Sequence, residues 1–158
     1  MKKILDLIFR GIIAVAIPLT IFGFLRFFVS PVYVFLTQKQ LFNQFIFLFL
    51  LTATLEEGSK YFALRIFNDS PKDQWMEQIF FIALIFAILE IVWYYFTNPT
   101  FQMLFLFILS LRLLLPTLIH IVSSLTLVHF VLKKKYLFAV LLPILIHGGF
   151  NFIMVALL

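Results

Sequence analysis

The sequence predicts an all-α, polytopic helical membrane protein of about five transmembrane helices, forming one domain over residues 1–158. Three observations lead there. Only 12% of the residues are charged, against about 25% in a soluble domain. Hydrophobic residues make up 64% of the chain, and the aromatics among them 19% of it. Several apolar runs reach the roughly 20 residues that span a hydrocarbon core. They are continuous rather than alternating, which argues against a barrel.

The first helix is expected over Leu7 to Phe28, with Pro18 as a kink point near mid-span. Met1-Lys2-Lys3 before an apolar run looks like a signal peptide, but no small-residue cleavage site follows, so it reads as an uncleaved helix. Ser30-Pro31 ends it, Val32 to Leu36 is too short to cross again, and Gln38-Lys39-Gln40 makes a polar loop. The second helix is expected over Leu41 to Phe67. Asn68 to Asp73 is the most polar stretch and a loop. The third helix runs over Trp75 to Phe96 and ends in the interfacial aromatics Trp93-Tyr94-Tyr95.

After Asn98-Pro99, Phe101 to Leu132 is long for one crossing. Phe101 to Leu109 is therefore expected as a short interfacial or re-entrant piece, with the fourth helix from Ser110 to Leu132. Lys133-Lys134-Lys135 closes that helix, and the fifth starts at Tyr136. With five crossings, Lys2, Lys3, Arg10, Arg65, Lys72 and Lys133 to Lys135 fall on one side and Lys39 on the other. The positive-inside rule then puts the N-terminus in the cytoplasm and the C-terminus outside.

The chain has no cysteine, which removes thiolate nucleophiles, iron–sulfur clusters and disulfides. Its net charge of +5 is spread over helix ends, a topology pattern rather than a phosphate-binding patch, so nucleic acid is not expected as a partner. The lipid bilayer is.

Against this background Thr54 to Lys60 stands out. An acidic residue at a helix centre in lipid costs roughly 2.5–3.5 kcal/mol or more, and such residues face the bundle interior and serve function. Three of the seven acidic residues, Glu56, Glu57 and Glu90, lie inside expected spans, as do His120 and His147. At 1.5 Å per residue, Glu56 lies roughly 16 Å in from Phe67 and Glu90 roughly 21 Å from Met76. His120 lies roughly 19 Å from Lys133, and His147 roughly 18 Å from Lys135. Four helices thus bring ionisable side chains to a common depth, which predicts one buried polar site.

Local spacing adds supporting groups. Lys60 follows Glu56 at i,i+4 and is expected to neutralise or orient a carboxylate; Ser124 follows His120, and Asn151 follows His147, at the same interval. Gly58 with Ser59, and Gly148 with Gly149, offer small surfaces on which the second and fifth helices can approach. A buried Glu beside a second carboxylate suits a general base toward water, with the histidines and Asn151 polarising a carbonyl. Two histidines and one glutamate, His120, His147 and Glu56, are equally a catalytic zinc set with an open position for water. Either chemistry hydrolyses an amide. The same buried acids and histidines would also serve a proton relay in a small transporter or channel, although no repeated halves are visible. A non-catalytic binding or immunity protein is a third class.

Glu56-Glu57-Gly58-Ser59-Lys60 reads as EExxK, Phe86 to Glu90 as FxxxE, and His147 to Asn151 as HxxxN, with His120 isolated between the last two. In this order on separate helices they resemble the PrsW-like branch of the CAAX-protease and bacteriocin-processing superfamily of intramembrane proteases. The CAAX-type branch has EExxxR and FxxxH, whereas here Tyr61 stands at the Arg position and Glu90 at the His. The resemblance covers about Glu56 to Asn151. It implies a prokaryotic membrane protease acting on membrane-bound proteins such as anti-sigma factors, or a role against peptide bacteriocins. It also implies that Glu56 activates water, with Glu57 as its partner and His120, His147 and Asn151 around it, by a glutamate-type or a zinc-dependent route.

Blander roles are expected elsewhere. Glu90 has Arg112 as an alternative partner, Arg112 and Arg26 read as snorkelling anchors, and His129 as interfacial. Ser123 and Ser124 are expected to bond their own helix backbone rather than act as nucleophiles. The 23 phenylalanines are packing or lipid-facing residues.

Overall fold

Every regular element among the described residues is helical, as the continuous apolar runs require: in hydrocarbon a segment must satisfy its own backbone hydrogen bonds. The computed structural model describes residues 2–28, 50–66, 71–97 and 99–157. They form α1 (Lys2–Phe28), α2 (Ala53–Ile66), α3 (Trp75–Thr97), α4 (Pro99–Leu132) and α5 (Tyr136–Leu157). A short 3-10 turn, Lys72–Gln74, leads into α3. The expected break at Ser30-Pro31, the polar loop at Gln38 to Gln40 and the start of the second helix before Leu50 lie outside the described residues.

Among the described residues, four helices are long and apolar enough to cross a membrane, over Ile4–Phe24, Lys72–Trp93, Leu114–Leu132 and Tyr136–Met154. This is an all-α membrane protein. The described part of α2 has 14 residues and carries Glu56, Glu57 and Lys60, so it is the polar element of the bundle.

Two boundaries differ from expectation. α1 begins at Lys2, five residues before Leu7, because nothing in Lys2 to Asp6 breaks a helix and Asp6 pairs with Arg10 one turn on at 2.8 Å. Phe101 to Leu109 is not a separate piece: α4 is one helix of 34 residues. Length alone suggested the division, and no glycine or proline stands between Phe101 and Ser110 to enforce it. At 1.5 Å per residue α4 is about 50 Å long, which a bilayer accommodates by tilt or by extension past the hydrocarbon.

The core joins α1, α2, α3 and α4 through Leu7, Ala14, Ala63, Leu64, Ile79, Phe86 and Val128. The outer faces are apolar as well, with Phe9, Val92, Leu114 and Leu137 among the exposed large side chains, the pattern of helices that meet lipid rather than water.

Arg10 is more than an orientation marker. It is buried, and its Nη1 donates to the Leu64 carbonyl at 3.1 Å. Leu64 lies in the last turn of α2, where carbonyls lack intrahelical partners. α1 therefore holds the end of the helix that carries the glutamate pair. Several of the described basic residues gather at one end of the bundle: Arg10 meets the end of α2, Arg65 lies over the Trp75 ring at 5.0 Å, and Lys135 precedes Tyr136, which shares a cavity with Tyr61.

Glycine is required at one close approach. A Cβ on Gly11 would lie 2.4 Å from Cγ2 and 2.7 Å from Cβ of Ile85, atoms near the α3 backbone that cannot swing aside. At Gly58 a Cβ would meet nothing within 4 Å, so Gly58 is not the close-packing surface toward α5 that its position suggests. The two glycines should respond oppositely. Gly11→Ala gains about 1 kcal/mol of helix propensity but overpacks the α1–α3 contact at about 1–3 kcal/mol, so it should lower the unfolding midpoint in detergent. Gly58→Ala keeps the propensity gain without the clash and should raise it. Equal shifts of one sign would refute the α1–α3 geometry.

Candidate functional site

Glu57 is the centre of the polar cluster. The i,i+3 spacing within α2 brings Lys60 Nζ to its Oε1 at 2.5 Å. From α4, Ser123 Oγ donates to Oε1 at 2.7 Å and Ser124 Oγ to Oε2 at 2.8 Å. From α5, His147 Nδ1 meets Oε1 at 2.7 Å. Three of these donors converge on Oε1 and one on Oε2, so both oxygens of the carboxylate are engaged. Glu57 is 2% exposed and Lys60 0%, so each charge is compensated inside the bundle.

The tautomers follow from this pattern. Glu57 is an acceptor, so His147 Nδ1 carries a proton, and in the neutral form of the ring the lone pair falls at Nε2. Lys60 has donors only, and its Nζ lies 3.2 Å from His120 Nδ1. That nitrogen therefore accepts, and His120 Nε2–H donates to Glu90 Oε2 at 2.6 Å. A continuous chain runs Glu57–Lys60–His120–Glu90 over α2, α4 and α3. The two imidazoles meet edge to face with centroids 4.5 Å apart. Phe86 closes one side, 5.0 Å from the His120 ring and 4.9 Å from Lys60 Nζ.

Glu56 differs from its neighbour. Its Oε2 is buried and accepts no hydrogen bond, yet it lies 3.2 Å from His147 Nε2. The contact is close but not aligned as a hydrogen bond, and Nε2 is the nitrogen left with a lone pair. Glu56 Oε2 therefore keeps its acceptor capacity for a proton or a cation.

A metal ion could be held here. One ligand atom each from Glu56, His120 and His147 lies within 4.8 Å of the others. His147 is prepared for the role, since a ligating histidine characteristically gives its other N–H to a carboxylate, here Glu57. Glu56 Oε2 is unpartnered. His120 has both ring nitrogens engaged and would exchange Glu90 or Lys60 for the ion.

No family model, curated protein or solved structure matches the chain. The site therefore stands on its own geometry.

The expected convergence of Glu56, Glu57, Glu90, His120 and His147 is present. Several pairings are not the expected ones. Lys60 meets Glu57 rather than Glu56, because the serines of α4 draw Glu57 and Lys60 to the same side of α2. Glu90 bonds His120; the Arg112 side chain lies outside the described residues. Ser124 bonds Glu57 rather than its own backbone, and Ser123 does both, reaching the His120 carbonyl at 3.1 Å. Asn151 is half-buried one turn beyond His147, and no hydrogen bond among the described residues ties it to the cluster. His129 is exposed and packs on Phe130, as an interfacial residue would. Sequence reasoning missed Phe86 and Ser123 as site residues. Ser123 follows His120 at i,i+3, which was the available signal.

Removing one partner of a buried ion pair leaves the other charge uncompensated at about 3–5 kcal/mol. Lys60→Met should lower stability to that degree, and Glu57→Gln in the same chain should restore much of it. Denaturant titration of the two variants in detergent checks this, and additive losses would refute the pairing.

Proposed function

We propose that the protein is an intramembrane endopeptidase that hydrolyses a peptide bond of a membrane-associated protein or peptide, with Glu56 as the base toward water. One observation carries this reading: Glu56 Oε2 is buried without a hydrogen bond, 3.2 Å from His147 Nε2. Glu57 is the poorer base, since four donors from three helices already hold its carboxylate.

A water between Glu56 and His147 gives one proton to Glu56, and its oxygen attacks the scissile carbonyl carbon. Charge developing on the carbonyl oxygen needs a donor, a role that falls to the Asn151 amide, on the same helix as His147. The proton then passes from Glu56 to the leaving nitrogen as the C–N bond breaks. Glu57 holds the tautomer and orientation of His147 throughout, and Lys60 compensates Glu57. A resident zinc would be held by Glu56, His120 and His147 and would polarise the carbonyl and acidify its bound water.

The resemblance of the EExxK, FxxxE and HxxxN segments to PrsW-like proteases supports the same reading. It extends it to substrates such as anti-sigma factors or peptide bacteriocins in a prokaryotic cell membrane. The basic end of the bundle is then the cytoplasmic one. A second reading is proton-coupled transport, favoured by the unbroken chain from Glu57 through Lys60 and His120 to Glu90.

The glutamates should separate in experiment. Glu56→Gln should reduce cleavage of a single-span membrane substrate at least about 100-fold, the scale of general-base catalysis, with little change in unfolding midpoint. Glu57→Gln should reduce both. Metal assayed on the same preparations distinguishes the zinc-dependent route, because His147→Ala would lose the ion. If Glu56→Gln cuts as well as wild type, the mechanism is wrong. Proton flux in liposomes that depends on Glu90 and His120 would favour the relay.

A further inference from the structure

A cavity of about 270 Å³ lies between α2, α4 and α5, and the hydrolytic chemistry makes no use of it. One face of α2 lines it at i, i+3, i+4 and i+7 through Thr54, Glu57, Gly58 and Tyr61. Val131 of α4 and Tyr136 of α5 bound its other end. An apolar cavity of about 150 Å³ stays dry and takes up benzene, so this one admits a larger apolar group. The one charged side chain among the described lining residues, Glu57, has both carboxylate oxygens engaged by donors within the protein, which leaves the lining predominantly apolar. Gly58 leaves open space on the α2 side.

The mouth has the opposite character. Val131 and Tyr136 bracket the turn Lys133 to Lys135, and all three lysines are exposed. The turn is fixed by Lys135 N–H on the Phe130 carbonyl and Lys134 N–H on the Val131 carbonyl, both at 2.9 Å. Its left-handed position, φ 57°, is held by Lys134, where glycine sits without steric cost. The residue there is a lysine although the backbone conformation favours glycine. The turn joins the membrane-length stretches Leu114–Leu132 and Tyr136–Met154, which puts the lysines at headgroup level.

We propose that this cavity binds one acyl chain of an anionic phospholipid, with its headgroup on Lys133, Lys134 and Lys135. The occupant is a lipid because the lining is predominantly apolar and the exposed lysines of the turn directly follow Val131 and precede Tyr136 at one end of it. This site goes beyond the peptidase reading and does not depend on it.

Native mass spectrometry of the full chain, titrated with phosphatidylglycerol or with phosphatidylcholine of the same chains, tests it. We expect one saturable site that prefers phosphatidylglycerol at least about tenfold, given the attraction of three surface lysines for an anionic lipid. Gly58→Phe should weaken both lipids at least about tenfold by filling the cavity, and Gly58→Ala should bind like wild type. Replacing all three lysines by glutamine should keep chain binding and lose the preference. Non-saturable uptake, equal affinity for both lipids, wild-type binding by Gly58→Phe, or a preference that survives in the glutamine variant would each overturn the proposal. Retained helicity of Gly58→Phe in circular dichroism separates a filled cavity from a misfolded chain, and loss of helicity transfers the test to Gly58→Leu.

Discussion

The structure depends on how the bundle satisfies the Glu57 carboxylate. An ionised group away from water is strongly unfavourable unless it is paired and hydrogen-bonded. Glu57 meets this condition with four donors from three helices: Lys60 of α2, Ser123 and Ser124 of α4, and His147 of α5. Lipid tails are as apolar as leucine, so burial gives membrane helices little reason to associate. Packing and interhelical hydrogen bonds must do it, and here they converge on one side chain. Lys60 continues the connection to His120, and His120 to Glu90 on α3. Four helices are set in register by a single polar chain.

The adjacency of two glutamates acquires a physical sense from this. Successive residues on a helix point about 100° apart, so Glu56 and Glu57 reach their common partner His147 at different ring nitrogens. Glu57 faces the serines and meets four donors; Glu56 Oε2 lies toward Nε2 and accepts no hydrogen bond. The imidazole between them transmits the arrangement, because the proton held at Nδ1 by Glu57 leaves Nε2 a lone pair toward Glu56. The well-partnered and the under-partnered carboxylate are thus separate groups, so the proposed base is not the side chain on which the helices converge.

The sequence disclosed the class of fold and the membership of the site more readily than the pairing within it. Helical rise and the basic helix ends suffice to bring Glu56, Glu90, His120 and His147 to one depth, since both are one-dimensional quantities. Pairing depends on helix rotation, which neighbours decide. Lys60 can reach Glu56 at i,i+4 or Glu57 at i,i+3, and the choice is made by serines more than 60 residues away in sequence. Gly58 was misread for the same reason: small residues mark either close packing or open space, and only the position of α5 tells which. The division of α4 failed differently, through a length rule applied where no helix breaker supports it.

α1 lies outside the segment that carries the motifs, yet the site requires something in its position. Leu64 is in the last turn of α2, and a carbonyl there has no partner along the helix. Water cannot reach it in the core, so the bond must come from the protein, and Arg10 supplies it with its guanidinium while pairing with Asp6. A long side chain is needed to reach across from α1, and a donor that stays charged suits a helix C-terminus, where the dipole favours cations. Gly11, the next residue, removes the side chain that would otherwise hold α1 away from Ile85 of α3. Arg10 and Gly11 together set α1 against α2 and α3, and the rotation of α2 that sends Glu57 to the serines and Glu56 to His147 is anchored at its far end by that contact.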